Sequence, residues 1–130
     1  MTTASVSRPR AGVVFTAAAL DVVLVVVFAA TGRASHEESA FGLGLLTTAW
    51  PFLVALTVGW IVTLAWRRPF AIARTGVPVW LITVAGGMLL RWVSGQGTAL
   101  PFIIVATVVL CAALVGWRAI AALIRRLRSR

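Results

Sequence analysis

Metal, redox and covalent chemistry have little to work with in this sequence. It contains one cysteine, Cys111, and one histidine, His36. A single cysteine excludes an internal disulfide and a thiolate metal cluster. A single histidine excludes a bis-histidine haem site within the chain. Acidic residues are as scarce, with only Asp21, Glu37 and Glu38 among 130 residues. No paired catalytic carboxylates, Ser/His/Asp set or phosphate-binding loop can be assembled from what remains, so neither an enzyme nor a cofactor is expected. His36, Glu37 and Glu38 are adjacent residues near a helix end and read as solvated, so no metal is expected there.

Charge is thin overall. Charged residues make up 12% of the chain, about half the share in a soluble domain. What is abundant is apolar: hydrophobic residues reach 61% and the mean hydropathy is +1.02. The solvent of such a chain is mostly lipid. Four stretches are long enough to cross a bilayer, which takes about 20 residues per helix. They run over about 11–31, 41–66, 76–93 and 100–117. Pro78 and Pro101 stand in first turns, where a missing amide costs little. The connectors GRASHEES, RRPFAIAR and SGQGT are short and rich in turn residues. Short connectors make neighbouring helices antiparallel, so the expected fold is an all-α, up-down bundle of four transmembrane helices. Residues 1–10 read as a disordered tail, 11–117 as the membrane domain and 118–130 as a basic amphipathic extension. The first apolar run is too long for a signal peptide and lacks an A-x-A ending, so it is expected to remain in the mature chain.

The basic residues besides His36 are all arginines, and they are lopsided. Arg8, Arg10, Arg67, Arg68, Arg74, Arg118, Arg125, Arg126, Arg128 and Arg130 fall on one side, while Arg33 and Arg91 fall toward the other. The positive-inside rule then expects both termini in the cytoplasm, with the chain in the cell membrane. The net charge of +9 is accounted for by this orientation, and no nucleic-acid partner is expected. In WRAIAALIRRLRSR, Ile120, Leu123, Ile124 and Leu127 share one helical face. Arg118, Arg125, Arg126 and Arg128 lie away from it. That pattern predicts a tail lying on anionic lipid headgroups at the cytoplasmic surface, or else a plain stop-transfer cluster.

One residue stands out inside an apolar run. Asp21 interrupts AAALDVVLVVV ten residues from either end of its span. An ionised carboxylate at that depth costs about 2.5–3.5 kcal/mol on insertion scales. It must face the bundle interior, find a partner or carry a proton. Arg91 is the expected partner, since it sits only ~7 Å outward in depth at 1.5 Å per residue. Thr83, Gly87 and Arg91 share one face, with Gly87 leaving room beneath the guanidinium. The alternative is that Arg91 snorkels to the outer headgroups. At similar depth, Pro51 in LTTAWPFL frees the carbonyl of Thr47, which Thr47, Thr48 and Trp50 can satisfy or exploit. Together Asp21, Arg91, Thr47, Thr48, Trp50 and Pro51 form the expected intramembrane polar site. A packing kink at Pro51 is the simpler alternative. Trp66, Trp92 and Trp117 fit an interfacial belt, while Trp50, Trp60 and Trp80 lie deeper or nearer loops.

The segments ALDVVLVVVFAATGRASH, AWPFLVALTVGW, LLRW and GWR resemble a prokaryotic family of small membrane proteins, domain of unknown function thirty fifty-four. The resemblance spans nearly the whole chain, and the D…GR.SH block is its most specific part. It implies four membrane helices and no established activity. It marks Gly32, Arg33, Ser35 and His36, beside Asp21, Trp50, Pro51 and Arg91, as residues to test. Two function classes follow. One is an oligomeric transporter or channel-like protein with Asp21 as a proton- or cation-linked site, on which Asp21→Asn folds normally and abolishes pH-linked flux. The other is an accessory or scaffold subunit of a larger membrane complex.

Overall fold

A computed structural model describes residues 9–35 and 42–129 of the chain. Among these the fold is helical, without a strand. Helix α1 covers Ala11–Ser35, α2 Leu43–Thr63, α3 Val77–Val93, α4 Leu100–Leu110 and α5 Gly116–Arg128. A π-helical turn at Ile72–Gly76 leads into α3, and a second at Cys111–Val115 joins α4 to α5 without a break. The result is four helices long and apolar enough to cross a membrane: Ala11–Arg33, Leu43–Thr63, Ile72–Val93 and Leu100–Arg128.

The fourth helix continues past Trp117 to Arg128. Arg118, the first charge after the apolar run, is fully buried, while the described residues after it, Ala121 apart, are exposed. The second helix stops where Leu64 adopts a left-handed conformation at φ 53° and its N–H turns back to the Ile61 carbonyl. Such a conformation strains a branched side chain and starts the connector sharply. Pro51 lies buried inside α2 without interrupting it.

A narrow stripe holds each helix to the bundle. On α1 it is Ala17, Asp21, Val25, Phe28 and Ala29, at three- and four-residue spacing, the period of one helical face. Phe15, Val22, Val23 and Val27 on its other sides are exposed, as expected of a helix whose remaining surface meets lipid. The core joins Val25, Phe28, Phe52, Leu56, Val79, Ala106, Leu110 and Leu114. Helices α2 and α3 pack most extensively, and Gly86 and Gly87 let Ala55 and Phe52 come against α3. The rings of Phe28, Phe52 and Phe102 meet at centroid distances of 5.4–6.2 Å. This aromatic layer separates two polar regions at opposite ends of the bundle.

Candidate functional site

The first polar region is built around Asp21, which is fully buried. Each carboxylate oxygen accepts two N–H donors. Oδ1 accepts from Trp117 Nε1 at 2.8 Å and Arg118 Nη1 at 3.0 Å. Oδ2 accepts from Trp60 Nε1 at 2.8 Å and Arg118 Nη2 at 2.8 Å. The two guanidinium bonds form a fork on the carboxylate, the strongest geometry open to this ion pair. A carboxylate offers about four lone-pair positions, and all are used.

Arg118 is held as firmly from its other side. Its Nε donates to the Pro69 carbonyl at 2.8 Å, and Nη1 also donates to the Leu114 carbonyl at 2.8 Å. The π turn at Cys111–Val115 shifts the helical register just before this point. Leu110, Leu114 and Arg118 consequently occupy one buried row. Gly76 lets the arginine pass, since a Cβ there would lie 3.0 Å from Arg118 Cδ. The connector between α2 and α3 roofs the cluster. Ala65, Pro69 and Thr75 are buried, Thr75 Oγ1 donates to the Arg68 carbonyl at 2.6 Å, and Phe70 meets the Trp117 ring edge-on at 5.1 Å. Arg125 covers the Phe70 ring at 4.8 Å.

Arg91 is therefore not the partner of Asp21. It lies beyond the aromatic layer and folds onto the connector after α3. Its Nε donates to the Gly97 carbonyl at 3.2 Å, Nη1 to Gln96 Oε1 at 3.3 Å and Nη2 to the Gln96 carbonyl at 3.3 Å. Its guanidinium stands 4.3 Å from the Phe102 ring centroid. Phe52 fills the space beside Gly87 that was expected to sit under this arginine. Of the expected basic tail, Arg118 is internal and not lipid-facing, because Asp21 and the Pro69 carbonyl draw it in. Arg125, Arg126 and Arg128 are exposed as expected.

The expected polar site thus divides. Thr47 donates to the Leu43 carbonyl at 3.1 Å and is exposed, as is Trp50. Thr48, Arg33 and Arg91 instead line a second region, a cavity of about 300 Å³ at the other end of the bundle. Phe28, Ala29, Gly32, Ala99 and Phe102 give it an apolar side, and Gln96 and Gly97 close it. Arg33 Nη1 donates to Thr48 Oγ1 at 3.0 Å. His36 and the side chain of Ser35 lie outside the described residues.

Sequence reasoning missed Arg118, Trp60 and Trp117 as partners of Asp21. A signal existed: Leu110, Leu114 and Arg118 continue one four-residue row past the anticipated helix end. Trp60 carried no such signal, because an indole deep in a span reads as packing.

A family model described as "Protein of unknown function (DUF3054)" matches residues 18–121. The matched segment contains every member of the Asp21 cluster and every residue lining the cavity. No curated protein and no solved structure matches the chain.

Proposed function

The chain belongs to this family of proteins of unknown function, and we propose that it works as an accessory or scaffold subunit of a larger membrane assembly. The observation that carries this reading is the closed state of Asp21. A carboxylate that relays a proton or cation must exchange partners and be reached by water. Asp21 is fully buried, accepts from four N–H groups, and is not among the residues that line the 300 Å³ cavity. Such a cluster fixes helix positions: α1, α2 and α5 meet at one atom group, with the connector drawn down by Pro69. The transport reading needs Asp21 to let go of these bonds, and so loses its site.

The surface supports the same view. Only 17–33% of the most apolar window of each span is buried within the chain, which leaves side chains on every span to meet lipid, a second copy or a partner. The exposed Arg125, Arg126 and Arg128, beside the exposed Ile120, Leu123, Ile124 and Leu127, suit anionic headgroups at the basic end. The distribution of arginines supports a location in the cell membrane with both termini cytoplasmic.

Purification of the full chain in mild detergent, with flux measured in parallel in proteoliposomes, tests the proposal. The chain is expected to co-purify in fixed stoichiometry with itself or another polytopic protein, and to carry no proton- or cation-driven flux. A lone monomer that carries pH-linked flux would overturn it.

A further inference from the structure

Six arginines stand exposed where α5 passes the connector between α2 and α3. Arg67, Arg68 and Arg74 come from the connector, and Arg125, Arg126 and Arg128 from α5. The bond from Arg118 Nε to the Pro69 carbonyl and the Arg125 guanidinium over the Phe70 ring set the two elements side by side. The described residues hold one acidic side chain, Asp21, and it is buried on Arg118. None of the six guanidiniums therefore has a carboxylate beside it among these residues. Their mutual repulsion favours an anion from outside. The chain also contains twelve arginines and no lysine. Membrane orientation needs only positive charge, whereas a guanidinium fork matches the oxygens of a phosphate.

An apolar surface runs beside this charge. Ile120, Leu123, Ile124 and Leu127 share one face of α5 and are 46–61% exposed. Helix α5 continues α4 without a break, and the whole helix Leu100–Arg128 has 29 residues. That is about 43 Å at 1.5 Å per residue, against about 30 Å of hydrocarbon and about 40–45 Å with both headgroup layers. The last turns of α5 thus reach headgroup depth. Trp66, exposed on the neighbouring connector, suits the same depth. A soluble anion there would meet the arginines and leave the four apolar side chains bare. A phospholipid meets both, its phosphate on the guanidiniums and its acyl chain on the apolar face.

We propose that this basic end is a binding surface for anionic phospholipid, selected over zwitterionic lipid. A choline or ethanolamine headgroup carries its own cation into the arginines, and a glycerol headgroup does not. The surface is separate from the Asp21 cluster that carries the scaffold reading, and either proposal can fail without the other.

The test uses the purified full chain in a neutral detergent, titrated with phosphatidylglycerol or phosphatidylcholine of identical short chains. Native mass spectrometry counts bound lipid, and thermal melting reads its effect on stability. Phosphatidylglycerol is expected to bind saturably and raise the melting temperature, at least tenfold more tightly than phosphatidylcholine. Arg126→Gln with Arg128→Gln changes two exposed residues outside the Asp21 cluster and should weaken that binding at least tenfold. Leu123→Ser with Leu127→Ser leaves the charge in place and should also weaken it. Raising the salt concentration should weaken binding to the unaltered chain, since exposed charges are screened, and this arm decides the matter if a variant fails to fold. Equal affinity for the two lipids, binding indifferent to salt, or binding unchanged in either double variant would overturn the proposal. Glycerol phosphate, which has the headgroup and no chains, should not raise the melting temperature. If it stabilises as well as the lipid, the ligand is a soluble anion and the proposal falls. A benzophenone side chain placed at position 123 tests the surface in native membranes. Lipid adducts are expected there. An adduct to another protein in their place would mean that a partner covers α5, and would overturn it too.

Discussion

Asp21 and Arg118 stand 97 residues apart in sequence and meet as a two-bond fork, Nη1 on Oδ1 at 3.0 Å and Nη2 on Oδ2 at 2.8 Å, both side chains fully buried. The pair ties the first helix to the last. Two tryptophan N–H groups complete the carboxylate, and two backbone carbonyls complete most of the guanidinium. Burying two charges is costly, and here the cost is offset only because nearly every polar atom has a partner.

Breaking this pair from one side should be worse than removing it. Asp21→Asn leaves Arg118 charged and buried, and turns part of the acceptor set into donors. The loss expected is about 3–5 kcal/mol, which differs from the expectation drawn from the sequence that Asp21→Asn folds normally. Arg118→Met should cost a similar amount. Asp21→Asn combined with Arg118→Met should cost well below the sum. Unfolding titrations in mixed micelles measure all three, and a double variant as unstable as the sum would deny the coupling.

The same cycle run on Asp21 and Arg91 should give the opposite result. The two belong to separate polar regions on either side of the Phe28, Phe52 and Phe102 layer, and among the described residues they share no hydrogen-bond partner. Residues so separated add to within about 0.3–0.5 kcal/mol. A coupling energy well above that would mean the two ends of the bundle communicate.

The tryptophans contribute through one atom each. Trp60→Phe and Trp117→Phe keep an aromatic ring but remove an N–H aimed at a charged oxygen. Bonds to charged groups are worth about 1.5–3 kcal/mol, and each variant should lose an amount in that range. Trp117→Phe keeps a ring beside Phe70, so the edge contact survives. Trp80→Phe is the comparison, since Trp80 Nε1 donates to a neutral carbonyl, that of Thr107, at 2.9 Å. Its loss should be nearer 1 kcal/mol. Equal losses at all three positions would remove the special standing of Asp21.

The four spans were legible because a 20-residue apolar run has few other uses in water or lipid. The demand that Asp21 face protein was legible for the same reason, from the cost of charge in hydrocarbon. Its partner was not. Choosing Arg91 rested on depth counted along straight helices, and that count ended the fourth helix at Trp117. Arg118 reads in sequence as the first charge of a tail, although the four-residue row through Leu110 and Leu114 reaches it. The bond between Arg33 and Thr48 joins the end of one helix to the start of the next, a pairing that no spacing in the sequence marks. Their common cavity with Arg91 appears only when three chain segments converge.

Thr83 offers a test of how completely the described interior is satisfied. It is fully buried, and its Oγ1 is the buried side-chain polar atom that lacks a hydrogen-bond partner among the described residues. A buried polar group without a partner loses its desolvation energy for nothing, about 1–3 kcal/mol. Valine replaces the hydroxyl by a methyl of similar size and removes that loss. Thr83→Val should therefore stabilise the chain by about 1 kcal/mol. Thr83→Ser keeps the hydroxyl and deletes the methyl, and should instead cost about 1 kcal/mol as a small cavity opens. Both are read from the same unfolding titrations. If Thr83→Val destabilises the chain, the hydroxyl has a partner in the folded protein. If it does so only at protein concentrations where the chain self-associates, that partner comes from a second copy.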